Sequence, residues 1–120
     1  MAVVALAQQP HYEMTTYVVG FLKRGPAWSA AVTEESKKIQ ADHLAHIGKM
    51  ADSGKLLLAG PFTDNTELRG MFVFQGVTME EAKALAAEDL AVKSGRLVIE
   101  WHPWYSAKGI GIVQGKAKKE

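Results

Sequence analysis

The chain has 120 residues, 48% hydrophobic and 22% charged, with a formal net charge of +1 and no cysteine. That size and balance suit one folded, soluble domain with a two-layer core. They exclude disulfides and thiolate metal sites, give no electrostatic case for nucleic acid, and leave no apolar run near the roughly 20 residues of a membrane helix.

The first residues, Met1-Ala2-Val3-Val4-Ala5-Leu6-Ala7, resemble the end of a signal peptide, with Ala5-Leu6-Ala7 fitting a small-x-small cleavage site. No basic segment precedes them and the apolar run is short, so a cytoplasmic location is expected, with export the alternative. Thr15 to Leu22 is rich in β-branched and aromatic residues and predicts a strand. Lys23-Arg24-Gly25-Pro26 stops it. Trp28, in the loop that follows, is a candidate pocket wall, although a loop Trp more often covers the end of a core.

Thr33 is an expected N-cap, and Glu34 and Glu35 suit the positive end of a helix dipole. The helix should run to Ser53 and stop at Gly54. Ile39, Ile47 and Met50 mark its apolar stripe, at spacings that match a 3.6-residue period. His43 falls in that stripe, four after Ile39 and four before Ile47. An ionisable ring on a core-facing stripe is the best chemical signal in the chain. The bland reading is a core histidine satisfied by one hydrogen bond.

Lys55 to Phe62 is a short apolar run ended by Gly60-Pro61, which predicts a strand buried on both faces. A polar turn, Thr63 to Glu67, leads to a third strand, Leu68 to Gln75, so the two should form a hairpin. Thr78-Met79-Glu80-Glu81 fits a capping box for a second helix. Asp89 lies four after Leu85 and three after Ala86, on that helix's inward stripe and near its C-terminal end. Burial and the negative end of the dipole both disfavour a carboxylate there, so Asp89 should have a partner or a function. The alternative is that the helix has already ended and Asp89 is solvated. Arg96 to Trp104 predicts the last strand, with Leu97, Ile99 and Trp101 on one face and Val98, Glu100 and His102 on the other. Ile110-Gly111-Ile112-Val113 can add a short strand, and the basic end of the tail reads as solvated.

The element order is β-α-β-β-α-β, an α+β ferredoxin-like arrangement with two helices on one face of a four-stranded antiparallel sheet. The second face is apolar and has no helix to cover it, which predicts a homodimer formed sheet on sheet. The chain thus divides into an N-terminal extension (1–14), a folded domain (15–105) and a tail (106–120).

Several segments in this order carry a family resemblance. They are Tyr17-Val18-Val19, Arg24-Gly25-Pro26-Ala27-Trp28, Asp42-His43-Leu44-Ala45-His46, Gly54-Lys55-Leu56-Leu57-Leu58-Ala59-Gly60-Pro61, Ala87-Glu88-Asp89 and Pro103-Trp104. Together they resemble the YCII-related (YciI-like) family of dimeric α+β barrel proteins. The resemblance implies dimerisation through the sheet and an active site made of a helix His, matching His43, and an Asp matching Asp89. In the family that Asp is typically followed by Pro, whereas here Leu90 follows it. One branch of the family is a dehydrochlorinase of chlorinated hydroxyhydroquinone, and other members accompany sigma-factor-like regulators.

The expected function is therefore a cofactor-independent enzyme of lyase, isomerase or dehydrochlorinase type, acting on a small aromatic or enol-like molecule. His43 would shuttle a proton and Asp89 would orient it. Trp28 and Phe62 would be apolar walls and His46 a further substrate contact. No Gly-x-Gly-x-x-Gly or Walker loop calls for a cofactor. A metal shared by His43 and His46, with Asp42 or Asp89, is disfavoured because the His-Glu-x-x-His pattern is absent. The alternative is a non-catalytic binding or regulatory dimer in which His43 and Asp89 form a structural pair.

Overall fold

The computed structural model describes residues 12–110. The signal-like run Met1 to Ala7 and the tail beyond Ile110 lie outside them. The elements are β1 (Met14–Arg24), α1 (Glu34–Asp52), β2 (Leu56–Pro61), β3 (Leu68–Phe74), α2 (Met79–Ala87), α3 (Leu90–Lys93) and β4 (Leu97–Ala107). The strands form one antiparallel sheet in the order β2-β3-β1-β4. This is the ferredoxin-like α+β arrangement. Among the described residues no helix is long and apolar enough to cross a membrane.

Local chemistry sets the helix ends. Thr33 accepts from Ser36 N at 3.0 Å, and Ser36 Oγ accepts from Thr33 N at 2.8 Å. Thr78 and Glu81 make the same reciprocal pair at the start of α2. Each pair satisfies donors that a helix leaves free in its first turn. Ser53 caps the end of α1, and Gly54 follows with φ of +82°, a conformation that costs glycine little.

Three strand expectations need correction. The β1–β4 ladder runs unbroken from Met14↔Ala107 to Arg24↔Leu97, so both strands are longer than their apolar runs. Ladder pairing carries Lys23 and Arg24 at one end and Tyr105 to Ala107 at the other. Pro103 is tolerated because β4 is an edge strand, where a missing N–H goes unused. Finally, β2 is not buried on both faces. It is the other edge strand, and only Leu56 is buried. A register shift between Leu56 and Leu58 lets both Leu57 and Leu58 pack on the face away from the helices.

The main core lies between sheet and helices. Val18, Leu22, Phe72 and Phe74 meet Met50, Ala82, Ala86 and Ala91 there. Ile39 and Ile47 pack beside them, as the stripe on α1 requires. A second cluster occupies the opposite face, where Tyr17, Val19 and Val73 are buried and Phe21, Met71 and Ile110 pack around them. That face is therefore not wholly uncovered in the single chain. Its rim is, with Trp104 exposed beside an apolar cavity of about 260 Å³.

Candidate active site

α1 presents His43 to the corner where α2 ends and α3 begins. His43 Nδ1 lies 2.5 Å from Asp89 Oδ2. The His43 side chain is 12% exposed and that of Asp89 is 0% exposed. The histidine ring also lies over Phe72, with centroids 6.4 Å apart and planes 27° from parallel. An ionised carboxylate only accepts, so Nδ1 carries the proton and the lone pair of a neutral ring sits on Nε2.

The local setting of Asp89 differs from the expectation. α2 ends at Ala87 with Glu88 as its cap, so Asp89 does not stand in the helix. Nor is it solvated. Asp89 is extended, with φ of −71° and ψ of 129°, and its Oδ1 accepts from Ala91 N at 2.9 Å. It is the N-cap of α3, a position that favours Asp. One carboxylate oxygen thus caps a helix and the other holds the histidine.

Leu90 stands at the first position of α3, where proline is often found because the N–H there has no helical partner. Here that N–H donates to Asp42 Oδ2 at 3.2 Å. Adjacent residues of α1, Asp42 and His43, therefore grip adjacent residues of the α2–α3 corner. Sequence reasoning named Asp42 only as a metal ligand. Its bond to a backbone donor leaves no trace in residue spacing.

His46 is anchored elsewhere. Its Nε2 lies 2.8 Å from Leu85 O, and a carbonyl only accepts, so Nε2–H donates. His46 is a strut between α1 and α2, bordering an outer cleft with Asp42, Lys49 and Glu88. His43 and His46 are thus three residues apart but tied to different partners.

Trp28 and Phe62 lie at one end of the sheet. Phe62 follows β2 and donates its N–H to Arg69 O at 2.9 Å. Phe72, which marks the level of His43, pairs with Ala59. Phe62 is three residues further on, about 10 Å along the strand direction. Trp28 packs on the edge of the core beneath the guanidinium groups of Arg24, Arg69 and Arg96. This cluster escaped sequence reasoning, yet the topology holds it. An arginine lies at the end of β1, near the start of β3 and just before β4, and antiparallel order puts all three at the same sheet end.

The pair has the elements of acid–base chemistry. A buried carboxylate fixes the ring's orientation and tautomer, and the second ring nitrogen is left to take or give a proton.

In fold the chain is similar to a solved structure of 5-chloro-2-hydroxyhydroquinone dehydrochlorinase from Burkholderia phenoliruptrix in complex with 2,5-dihydroxybenzoquinone. The TM-score is 0.52, with 18% identity over 75% of this chain and 93% of that chain. Identity at that level speaks for the fold alone. No curated protein matches the chain. The sequence model of the YCII-related domain matches residues 16–102, from the first strand to the last, and the chain belongs to the YCII-related family.

Proposed function

We propose that the protein is a small-molecule enzyme that works by acid–base chemistry without a cofactor, of lyase, isomerase or dehydrochlorinase type. The observation that supports it is the contact of His43 Nδ1 with Asp89 Oδ2, a partly exposed ring on a fully buried carboxylate. In this reading Nε2 of neutral His43 takes a proton from the substrate. Asp89 keeps the ring aimed and balances the imidazolium that forms. In a dehydrochlorination, the electron pair of the broken bond to hydrogen becomes the new double bond, and chloride leaves with the carbon–chlorine pair. In an isomerisation, His43 returns the proton at another atom. Substrates of this kind are small aromatic or enol-like molecules. The apolar second face is the surface through which we expect two copies to pair. His46 and Phe62 fall outside this scheme, because His46 Nε2 is spent on Leu85 O and Phe62 lies at the sheet end.

One observation favours a second reading. Asp89 Oδ1 caps α3 and the Leu90 N–H is held by Asp42, so the same residues lock a corner of the fold. There the pair would be structural, in a dimer that binds a ligand without turning it over.

A single substitution separates the two. His43→Ala should abolish turnover across a panel of chlorinated and unchlorinated hydroxyquinones and enols, and in either reading should cost about 3–5 kcal/mol because Asp89 is left buried without its partner. A loss of that size with turnover intact would end the enzymatic reading.

A further inference from the structure

Trp28 carries three cations and no anion. The guanidinium carbons of Arg24, Arg69 and Arg96 lie 5.4, 5.6 and 4.5 Å from its ring centroid. Among the described residues none of the three forms an ion pair. Arg69 Nη1 is spent on the carbonyls of Asp64, Thr66 and Leu68. Arg24 Nη2 donates to Asn65 Oδ1, and its buried Nε–H has no acceptor among the described residues. Arg96 uses only Nη1, on Ser29 O at 2.9 Å. A guanidinium has five N–H groups, so most of the fork of Arg96 is free.

Arg96 also faces a cavity. A space of about 270 Å³ between the 27–33 loop and the start of α1 is lined by Arg96, Ser29, Ser94, Glu35 and Ile39. A second space, about 480 Å³, shares Glu35, Ile39 and Ser94 with it and adds Glu34, Lys38 and Leu90. The two adjoin as a groove beside α1, and His43 lines neither of them. Ile39 is four residues before His43, about 6 Å along the helix. The wall at Arg96 is firmly held. Gly25 N donates to Arg96 O at 2.8 Å, and Ala27 N to Gly95 O at 2.9 Å. A Cβ at Gly25 would stand 2.3 Å from Gly95 O, so only glycine lets the Trp28 loop lie this close.

We propose that this groove binds a small organic anion whose oxyanion, a carboxylate or phosphate, is held by Arg96. The charge balance supports it, since the arginine cluster has no counter-ion and an oxyanion matches a guanidinium fork. Stacking on Trp28 holds the fork in place before the ligand arrives. This site lies beside the acid–base pair and does not rest on it. Glu35 beside Arg96 and Glu34 further along the wall oppose an anion, and the nearer of them, Glu35, gives the proposal a second sign to test.

The test is titration of the ¹⁵N-labelled full chain with benzoate and, separately, inorganic phosphate, reading the Arg96 Nε–H and the Trp28 indole N–H. The expected result is saturable shifts at both groups, absent with benzyl alcohol. Saturation by benzoate alone assigns a carboxylate ligand, and by phosphate alone a phosphate. Arg96→Gln should weaken binding by about tenfold or more. Glu35→Gln, which leaves the Trp28 stack untouched, should tighten it by about threefold. Non-saturating shifts, or a Glu35→Gln affinity equal to the parent's, would overturn the proposal. His43→Gln should bind the anion as the parent does. If it does so and also keeps turnover, the acid–base reading fails and the anion site stands. If it loses turnover while benzoate and phosphate leave Arg96 unmoved, the anion site fails and the acid–base reading stands.

Discussion

Among the described residues, two histidine–carboxylate pairs of nearly equal length lie in opposite settings. His43 Nδ1 lies 2.5 Å from Asp89 Oδ2, with side chains 12% and 0% exposed. His102 Nε2 lies 2.6 Å from Glu100 Oε2, with side chains 52% and 49% exposed. The first pair joins residues 46 apart and ties α1 to the α2–α3 corner. The second joins residues two apart on one face of an edge strand. Glu100 also bonds Lys23 at 3.1 Å, and the His102 and Lys23 contacts together hold its carboxyl below the ordinary glutamate range. Distance alone would rank the pairs as equals. Burial and connectivity separate them, because water can replace either partner of the exposed pair and cannot reach Asp89.

That contrast can be broken by substitution. The largest effect should come from Asp89→Ala, which leaves Ala91 N–H and His43 Nδ1–H without their acceptor. A loss of about 3–5 kcal/mol in urea unfolding is expected. A loss under about 1 kcal/mol would put the two pairs in the same class. Asp89→Asn should recover much of the stability, since Asn caps a helix about as well as Asp.

Leu90→Pro should cost far less, within about 1 kcal/mol. Asp89 already has the extended backbone that precedes proline, and the losses are the N–H bond to Asp42 and part of the half-buried Leu90 side chain. Unfolding of this variant by more than Asp89→Asn would show that the Asp42 bond, and not the Asp89 carboxylate, holds the corner.

The smallest effect belongs to Glu100→Gln, whose melting temperature at neutral pH should nearly equal the parent's. Its sign with pH is fixed. A depressed carboxyl stabilises the fold fully above its unfolded value, near 4.5, and loses that contribution as pH falls through the lower folded value. The raised Lys23 adds its part below 10.5 and loses it at higher pH. The small gap between parent and variant should therefore close on acidification. A gap that widens in acid would contradict the assignment.

Much of this was legible in residue order. Thr33, Gly54 and the Thr78–Glu81 box announce helix ends because capping is local chemistry. His43 on the Ile39–Met50 stripe is a matter of helical period. Asp89 shows the limit. Its inward position could be read, but its placement as the N-cap of a four-residue turn depends on where α2 breaks, and Leu90 hides the signal that a proline would give. The edge position of β2 was missed because an apolar run reads the same whether a second sheet face or a neighbouring strand accounts for it. The arginines around Trp28 come from β1, β3 and the residue before β4, and only the strand order brings them together.

The most direct test of the central claim reads the protons on the rings. Long-range ¹H–¹⁵N correlation of the neutral histidines should show His43 protonated at Nδ1 and His46, on the same helix, protonated at Nε2. His43 should give up that preference in Asp89→Ala while His46 keeps its own. A neutral His43 protonated at Nε2 in the parent would mean that Asp89 does not orient the ring, and the acid–base site proposed here would fall with it.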